Sequence, residues 1–247
     1  MKKFVILVIL FSSSFGFSQD DFFVRLHYIT YKNSDAKDVI EHEKKYWSKV
    51  HKANIDSGSK IAWDMWEVQA PKEEGHTTFV YAHLEPINHP GMLGVNPQDV
   101  FSKDEWSSAN NLRPKRVRSR GIETVYKGGF VPAAGQKPTN FVVLNFMDVK
   151  KNAYEYEQME LNRFMPIHKK NKFIKGWGLH KVVYPIAMPY GQDKTDYITA
   201  DFYESYGDIM RRYSETSKPS NSSQAIPMRE IRENLRQEVF KLVLSER

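Results

Sequence analysis

The feature that most constrains this chain is a ten-residue stretch that occurs twice. Glu43-Lys44-Lys45-Tyr46-Trp47-Ser48-Lys49-Val50-His51-Lys52 returns 117 residues later as Glu160-Leu161-Asn162-Arg163-Phe164-Met165-Pro166-Ile167-His168-Lys169. Both copies read Glu, three residues, an aromatic, two residues, a β-branched aliphatic, then His-Lys. The spacing i, i+4, i+8 places Glu, aromatic and His on one face of a helix. So long a period is far beyond that of solenoid repeats and points to a doubled domain.

The flanking segments double as well. Phe23–Ile29 matches Phe141–Met147 at an offset of 118, Trp63–Pro71 matches Trp177–Pro185 at 114, and Phe79–Leu84 matches Tyr197–Phe202 at 118. These segments alternate as strands do. A basic stretch, read as helical, then runs into Thr124–Lys127 in one copy and Glu238–Lys241 in the other. Each copy thus orders as strand, helix, strand, strand, helix, strand, which is ferredoxin-like. A four-stranded sheet with both helices on one face leaves its other face bare. The expected fold class is therefore α+β, two tandem ferredoxin-like (βαββαβ) modules whose sheets pack face to face. The first module spans 19–131, with a turn-rich insertion at 85–112. Residues 132–139, preceded by Gly128 and Gly129, form the linker, and 140–247 form the second module.

Residues 1–18 carry Lys2 and Lys3, an apolar run from Phe4 to Phe11, and Gly16 and Ser18 before Gln19. That is the pattern of a cleavable signal peptide, cut after Ser18, and implies a periplasmic or secreted protein. Its apolar core is too short to span a bilayer, and no membrane span is expected elsewhere. The chain has no cysteine, so neither disulfides nor thiolate chemistry are available. The net charge of +6 has its basic residues mainly at Lys115, Arg116, Arg118 and Arg120 and at Arg229, Arg232 and Arg236. On presumptive helices these read as solvated faces, and behind an export signal no nucleic-acid partner is expected.

The duplicated element order and the aromatic-rich strands resemble the dimeric α/β-barrel superfamily in its tandem-fused form. That group includes cofactor-free quinol monooxygenases, haem-degrading monooxygenases, and the chlorite dismutase and coproporphyrin decarboxylase family. The resemblance covers the mature chain and implies a fold; no family's catalytic motif is reproduced residue for residue.

Strand parity separates the two faces of each sheet. Val24, Leu26, Tyr28 and Val142, Leu144, Phe146 are expected to face the helices, as are Val80, Ala82, Leu84 and Ile198, Ala200, Phe202, and also Trp63, Met65, Trp177 and Leu179. The opposite parity then puts Arg25, His27, Asp64, Trp66, Tyr81, His83, Asn145, His180, Thr199 and Asp201 between the sheets. Burying unpaired charges costs several kcal/mol per group, so this set reads as a pocket or as a satisfied buried network. In the pocket reading His27, His83, His180 and Asp201 are the acid–base candidates. Arg25, Asp64, Trp66, Tyr81, Asn145 and Thr199 are the binding candidates, with Arg25 holding an anionic group.

His27, His83 and His180 lie on three strands without metal-ligand spacing, so no metal site is expected. No cofactor is expected either; the alternative is haem, with His51 or His168 as axial ligand. Against it, Pro166 interrupts the helix just before His168, and a histidine in both copies favours a fold role. The insertion holds His89, Met92, Leu93 and Trp106, enough apolar surface to cover a pocket mouth, whereas 214–224 reads as flexible. The expected partner is a small apolar or aromatic molecule, with room for a homo-oligomer. The leading expectation is an exported small-molecule-binding barrel, or in enzymatic form a cofactor-independent monooxygenase-like or isomerase-like enzyme. The alternatives are a haem or porphyrin protein of chlorite-dismutase-like architecture and a non-catalytic binding or interaction module.

Overall fold

A computed structural model describes residues 22–88, 94–131, 136–150, 152–186, 194–215 and 228–247. Eight antiparallel strands form one closed barrel in the order β1-β3-β2-β8-β5-β7-β6-β4, with β4 returning to β1. The strands are β1 Phe22–Lys32, β2 Ala62–Ala70, β3 His76–Pro86, β4 Arg118–Phe130, β5 Phe141–Val149, β6 Gly176–Ile186, β7 Tyr197–Tyr203 and β8 Arg232–Glu246. Each half contributes four neighbouring strands. The two halves do not form separate sheets packed face to face: they are joined edge to edge into one closed sheet around a lumen, through β2–β8 and β4–β6 ladders that the sequence reading did not include.

Both repeated decapeptides lie on helices that cover the outside of the barrel. In the first half the helix runs as α1 Ala36–His42, a π turn at Glu43–Trp47, and α2 Ser48–Asp56; in the second as α5 Ala153–Met159, a π turn at Glu160–Phe164, and α6 Met165–Lys170. Both π turns begin at the repeated Glu. The wider turn displaces the helical register, so Glu43 and Glu160 are buried, while His51 and His168 reach the sheet and lie over Trp63 and Trp177 (ring centroids 4.4 and 5.5 Å).

Two expectations about helices change. The second helix of the first half is α4 Lys103–Asn111, preceded by the short α3 Pro97–Val100; both lie inside the stretch taken for an insertion. Ser102 and Glu105 start α4 with a reciprocal capping box, which satisfies the free N–H groups of its first turn. The basic stretch expected to be helical instead enters the barrel: Arg118 and Arg120 are in β4, and Arg232 and Arg236 in β8. Only the four-residue α8 Met228–Ile231 precedes β8, whereas α7 Tyr206–Ser214 covers the second sheet. Trp106 packs edge-on to Trp47 and flat on Phe101, on the helix side and away from the lumen. His89, Met92, Leu93 and 216–224 lie outside the described residues.

Gly128 and Gly129 belong to β4 and not to the linker. They pair with Leu179 and Gly178 at the β4–β6 seam, next to a register shift. Gly129 has φ +156, and a Cβ there would sit 2.1 Å from the Trp177 carbonyl oxygen. The seam closes only because that side chain is missing. We expect Gly129→Ala to destabilise the fold by about 3 kcal/mol, since the backbone is strained and the clash is with main chain. Gly75→Ala, at φ +72 with nothing within 4 Å, should cost only about 1 kcal/mol. Urea unfolding of the two variants checks the contrast.

Candidate active site in the barrel lumen

An eight-stranded barrel has an interior just wide enough to be filled by side chains or to hold one small ligand. Here it does some of each. Strands four places apart in the order stand on opposite walls, so β3 faces β7 and β2 faces β6. The inward residues at the middle of β3 and β7 are Ala82 and Ala200, and two alanines opposite one another leave the lumen hollow. The resulting cavity measures about 640 Å³. Val24 and Leu26, Val142 and Leu144, Ile198, and Phe240 line its walls. Its mouth lies at the end of the barrel marked by Phe22, Ile61, Pro86, Gln136 and Pro138.

The opposite end of the lumen is closed by a buried acid. Glu238 accepts a hydrogen bond from the Tyr28 hydroxyl at 2.8 Å and pairs with Arg236 Nε at 2.9 Å and Arg120 Nη2 at 3.3 Å. The Arg236 guanidinium lies 3.7 Å over the Phe146 ring and that of Arg120 4.4 Å over Tyr28.

Three of the expected site residues line this cavity: Asp64, Trp66 and His180. Asp64 is buried on β2. Arg247 Nη2 donates to its Oδ2 at 2.9 Å, and Arg247 Nη1 lies 2.9 Å from its Oδ1. Arg247 Nε also donates to the Gln136 carbonyl at 2.9 Å, so this side chain straps the linker and β8 to β2 across the mouth. Burial raises the Asp64 carboxyl above its usual range, and the Arg247 charge works against that rise. On the opposite wall His180 stands edge-on to Tyr126, with Nδ1 at a long 3.5 Å from Thr124 Oγ1. Thr124 donates to the Val24 carbonyl at 3.1 Å, which leaves its lone pairs for an Nδ1–H. Gly178 makes room for the ring, because a Cβ there would meet His180 Nε2 at 3.1 Å. Burial lowers His180 to about 4, so it is a neutral imidazole in an apolar chamber, able to accept a proton from a bound acid.

The remaining candidates lie on the barrel's outer face, so the expected parity of the first and third strands is inverted. Val24, Leu26, Val80, Ala82, Leu84, Val142, Leu144, Ile198, Ala200 and Phe202 face the lumen side. The second-strand assignment stands: Trp63, Met65, Trp177 and Leu179 pack in the helix-side clusters. The physical reason is closure, which lines the lumen with facing strands that exclude water from its walls, while the helices bring polar partners to the outer face.

There the outward residues form separate groups. In the first half Arg25 Nε donates to Glu123 at 2.8 Å, and His27 Nε2 is 2.6 Å from Ser119 Oγ. His83 Nδ1 is 2.7 Å from Lys60 Nζ, and the His83 ring is edge-on to His51 at 5.3 Å. Tyr81 lies beside Trp63 and bears on Glu43, whose carboxyl burial raises to about 7. Burial likewise lowers Lys60 to about 8. In the second half Asn145 Nδ2 donates to Thr199 Oγ1 at 3.1 Å and to Asp201 Oδ2 at 3.0 Å. His27, His83 and Asp201 therefore do not share a cavity. The sequence reading passed over Thr124, Arg247 and Lys60; the matched alanines 82 and 200 were the signal that marks the lumen.

With this geometry in hand, the chain can be set beside known proteins. No protein-family profile matches it, and no curated protein matches it in sequence. Solved structures do. The "putative monooxygenase" of Fusobacterium nucleatum subsp. nucleatum superposes with TM-score 0.56 at 8% identity, covering 92% of this chain and 95% of that one. The "putative monooxygenase" of Lactobacillus acidophilus gives 0.57 at 9%, covering 92% and 96%. An anthrone oxidase-like protein gives 0.51 at 10%, covering 92% and 94%. These likenesses show the fold: an α+β chain whose antiparallel strands close into a barrel with helices outside. At such identities the neighbours speak to the fold alone and leave the chemistry to the residues.

Haem held by His168 does not fit this barrel. The His168 ring lies flat on Trp177 at 11°, and the space between helix and sheet is filled by Tyr156, Trp177 and Tyr203, each at most 1% exposed. Among the described residues no group of three or more His, Asp or Glu could hold a metal ion, and no helix is long and apolar enough to cross a membrane.

The lowered pKa of His180 makes stability depend on pH. Unfolded histidine titrates near 6.5 and the folded group near 4, so the stability is complete above about pH 6.5 and is lost as pH falls toward 4. His180→Gln should lose less stability than the wild type between pH 7 and 4.5, by on the order of 2 kcal/mol. Urea unfolding at the two pH values reads the difference; identical losses would mean that the imidazole is solvated.

Proposed function

We propose that this protein binds a small, largely apolar molecule inside the barrel lumen, and that the enzymatic form of that activity is proton removal by His180 from an aromatic or conjugated substrate. The observation that carries the reading is the hollow behind Ala82 and Ala200. It is a chamber of about 640 Å³, within the range of small-molecule sites, mostly apolar, with Lys60, Gln136 and the Asp64–Arg247 pair near the mouth and His180–Thr124 on the opposite wall. A neutral imidazole fixed through Nδ1 presents Nε2 as the base. Such a step belongs to a cofactor-independent monooxygenase-like reaction, with dioxygen as co-reactant, or to an isomerase-like one. The names of the structural neighbours are in keeping with the first.

Two further parts of the reading concern origin and address. The halves are tandem copies of one βαββαβ unit, supported by the repeated π turns and by the Trp63–His51 and Trp177–His168 stacks. Residues 1–18 direct export, which N-terminal sequencing of protein recovered from the periplasmic fraction checks: the mature chain should begin at Gln19.

The lumen is tested with the uncharged fluorophore N-phenyl-1-naphthylamine. The wild type should bind it with a blue-shifted, enhanced emission, and Ala200→Phe, which fills the hollow, should weaken binding at least tenfold while the fold is kept. Unchanged affinity in that variant would place the fluorophore elsewhere and remove the lumen as the binding site.

A further inference from the structure

On the outer face of the second half, two buried polar atoms point toward one another without a partner. Asp201, on β7, is 5% exposed; its Oδ2 accepts from Asn145, whereas its Oδ1 makes no hydrogen bond. His168 Nδ1, also buried and unbonded, lies 3.9 Å from that oxygen. Leaving two such groups unsatisfied costs about 1–3 kcal/mol each, so a small rotation of the imidazole that closes the gap is favourable. The ring stacks on Trp177, and the His168 side chain is 20% exposed although Nδ1 is buried, so the rest of the side chain meets solvent.

A cation on the covering helix acts on this pair at longer range. Arg212, on α7, bears electrostatically on both His168 and Asp201, and among the described residues it forms no ion pair. Arg232, the other cation facing the site, is occupied by Glu160 at 2.8 Å. The first half lacks the arrangement. There His51 stacks on Trp63 in the same way, but His83 stands where Asp201 does and is met by Lys60. The aromatic seat for the histidine is common to both halves and serves the fold; the carboxylate is particular to one.

We propose that His168 and Asp201 form an acid–base dyad, separate from the lumen, that transfers a proton on a small organic anion seated by Arg212. The class of substrate is an oxo acid with a hydrogen on the carbon next to its carbonyl. The C–H bond breaks and its proton goes to His168 Nε2; the electron pair forms the C=C bond of an enolate, whose negative oxygen lies toward Arg212. Asp201 is the positioning residue, holding Nδ1–H and balancing the imidazolium. Return of the proton to carbon or to the enolate oxygen restores the neutral ring, so no oxidant or reductant is consumed. Burial, then Arg212 and Arg232, lower His168 to about 4, which leaves it neutral near pH 7, while burial raises Asp201 to about 6, which leaves it mostly ionised there. The dyad is distinct from the lumen because Asp201 points outward between Ala200 and Phe202, which point inward.

Pyruvate in D₂O is the probe, with loss of its methyl proton signal as the readout. The full-length protein should exchange the methyl protons at least tenfold faster than His168→Gln, which should match buffer. Asp201→Asn should slow exchange tenfold or more and alter the His168 ¹⁵N shifts, with partial rescue by Asp201→Glu. Arg212→Met should raise KM more than it lowers kcat. Should His168→Gln fail to fold, carbethoxylation of His168 in the wild type, located by mass spectrometry, takes its place. Wild-type exchange no faster than that of His168→Gln, or Asp201→Asn with unchanged rate and unchanged ¹⁵N shifts, overturns the dyad. So does inhibition of exchange by N-phenyl-1-naphthylamine, which would move the chemistry into the lumen.

Discussion

Everything inside this molecule depends on the hydrogen bonding of four strand edges. A four-stranded sheet ends in two rows of unpaired N–H and C=O groups, which invite pairing with other chains. Here the edges β2 and β4 of one sheet pair with β8 and β6 of the other, and no edge of the barrel is left over. Both seams carry register shifts, at Met65/Trp66 and Val68/Ala70 on one side and at Glu123/Thr124 and Tyr126/Gly128 on the other. Bulges of this kind bend a strand and sharpen its twist, which a sheet needs if it is to close. Gly129, with the Trp177 carbonyl where a Cβ would go, shows how near the backbones come at the second seam.

Closure also explains which parts of the structure were legible in the sequence. Element order came directly from matched segments, because each segment carries its own period and its own punctuation. The second-strand faces were legible too, since Trp63 and Trp177 have to be buried under a helix and both are. The faces of β1, β3, β5 and β7 were not. In an open sheet, alternation distinguishes a dry face from a wet one; in a closed barrel under helices both faces are dry, and the more polar one lies wherever partners are. Those partners are set by tertiary contacts, such as Lys60 reaching His83 and Gln237 reaching Asn145. The helix α4 was hidden for a simpler reason: the turn-rich run before it hid a good capping box.

The candidate site was legible to the extent that it was anchored on the second strands. Asp64, Trp66 and His180 reach the lumen, whereas Arg25, His27, Tyr81, His83, Asn145, Thr199 and Asp201 follow the inverted parity to the outside. What makes the lumen a chamber is the smallness of Ala82 and Ala200, and small residues carry little signal when polar ones are being sought. Arg247, which meets Asp64 from the far end of the chain, belongs to no local pattern at all.

The pseudo-symmetry of the barrel separates fold from chemistry more sharply than any single residue does. Where the two halves agree, the physics is that of packing: a Glu buried at a π turn, a His stacked on a Trp, an Ala facing an Ala. Where they differ, the differences are polar and come in pairs. Inside the lumen Asp64 stands opposite Gly178, and Trp66 opposite His180, so one wall supplies a charge strapped by arginine and the other a neutral base. Outside it, His83 with Lys60 in one half answers Asp201 with Arg212 in the other. A fold that needed only stability would gain nothing from burying such unlike groups at equivalent positions, because each has to be desolvated and partnered separately. Their cost is intelligible if the asymmetric positions meet a ligand, and that makes the unequal positions, with His168 drawn in only through its unlike neighbour Asp201, the ones to probe for chemistry.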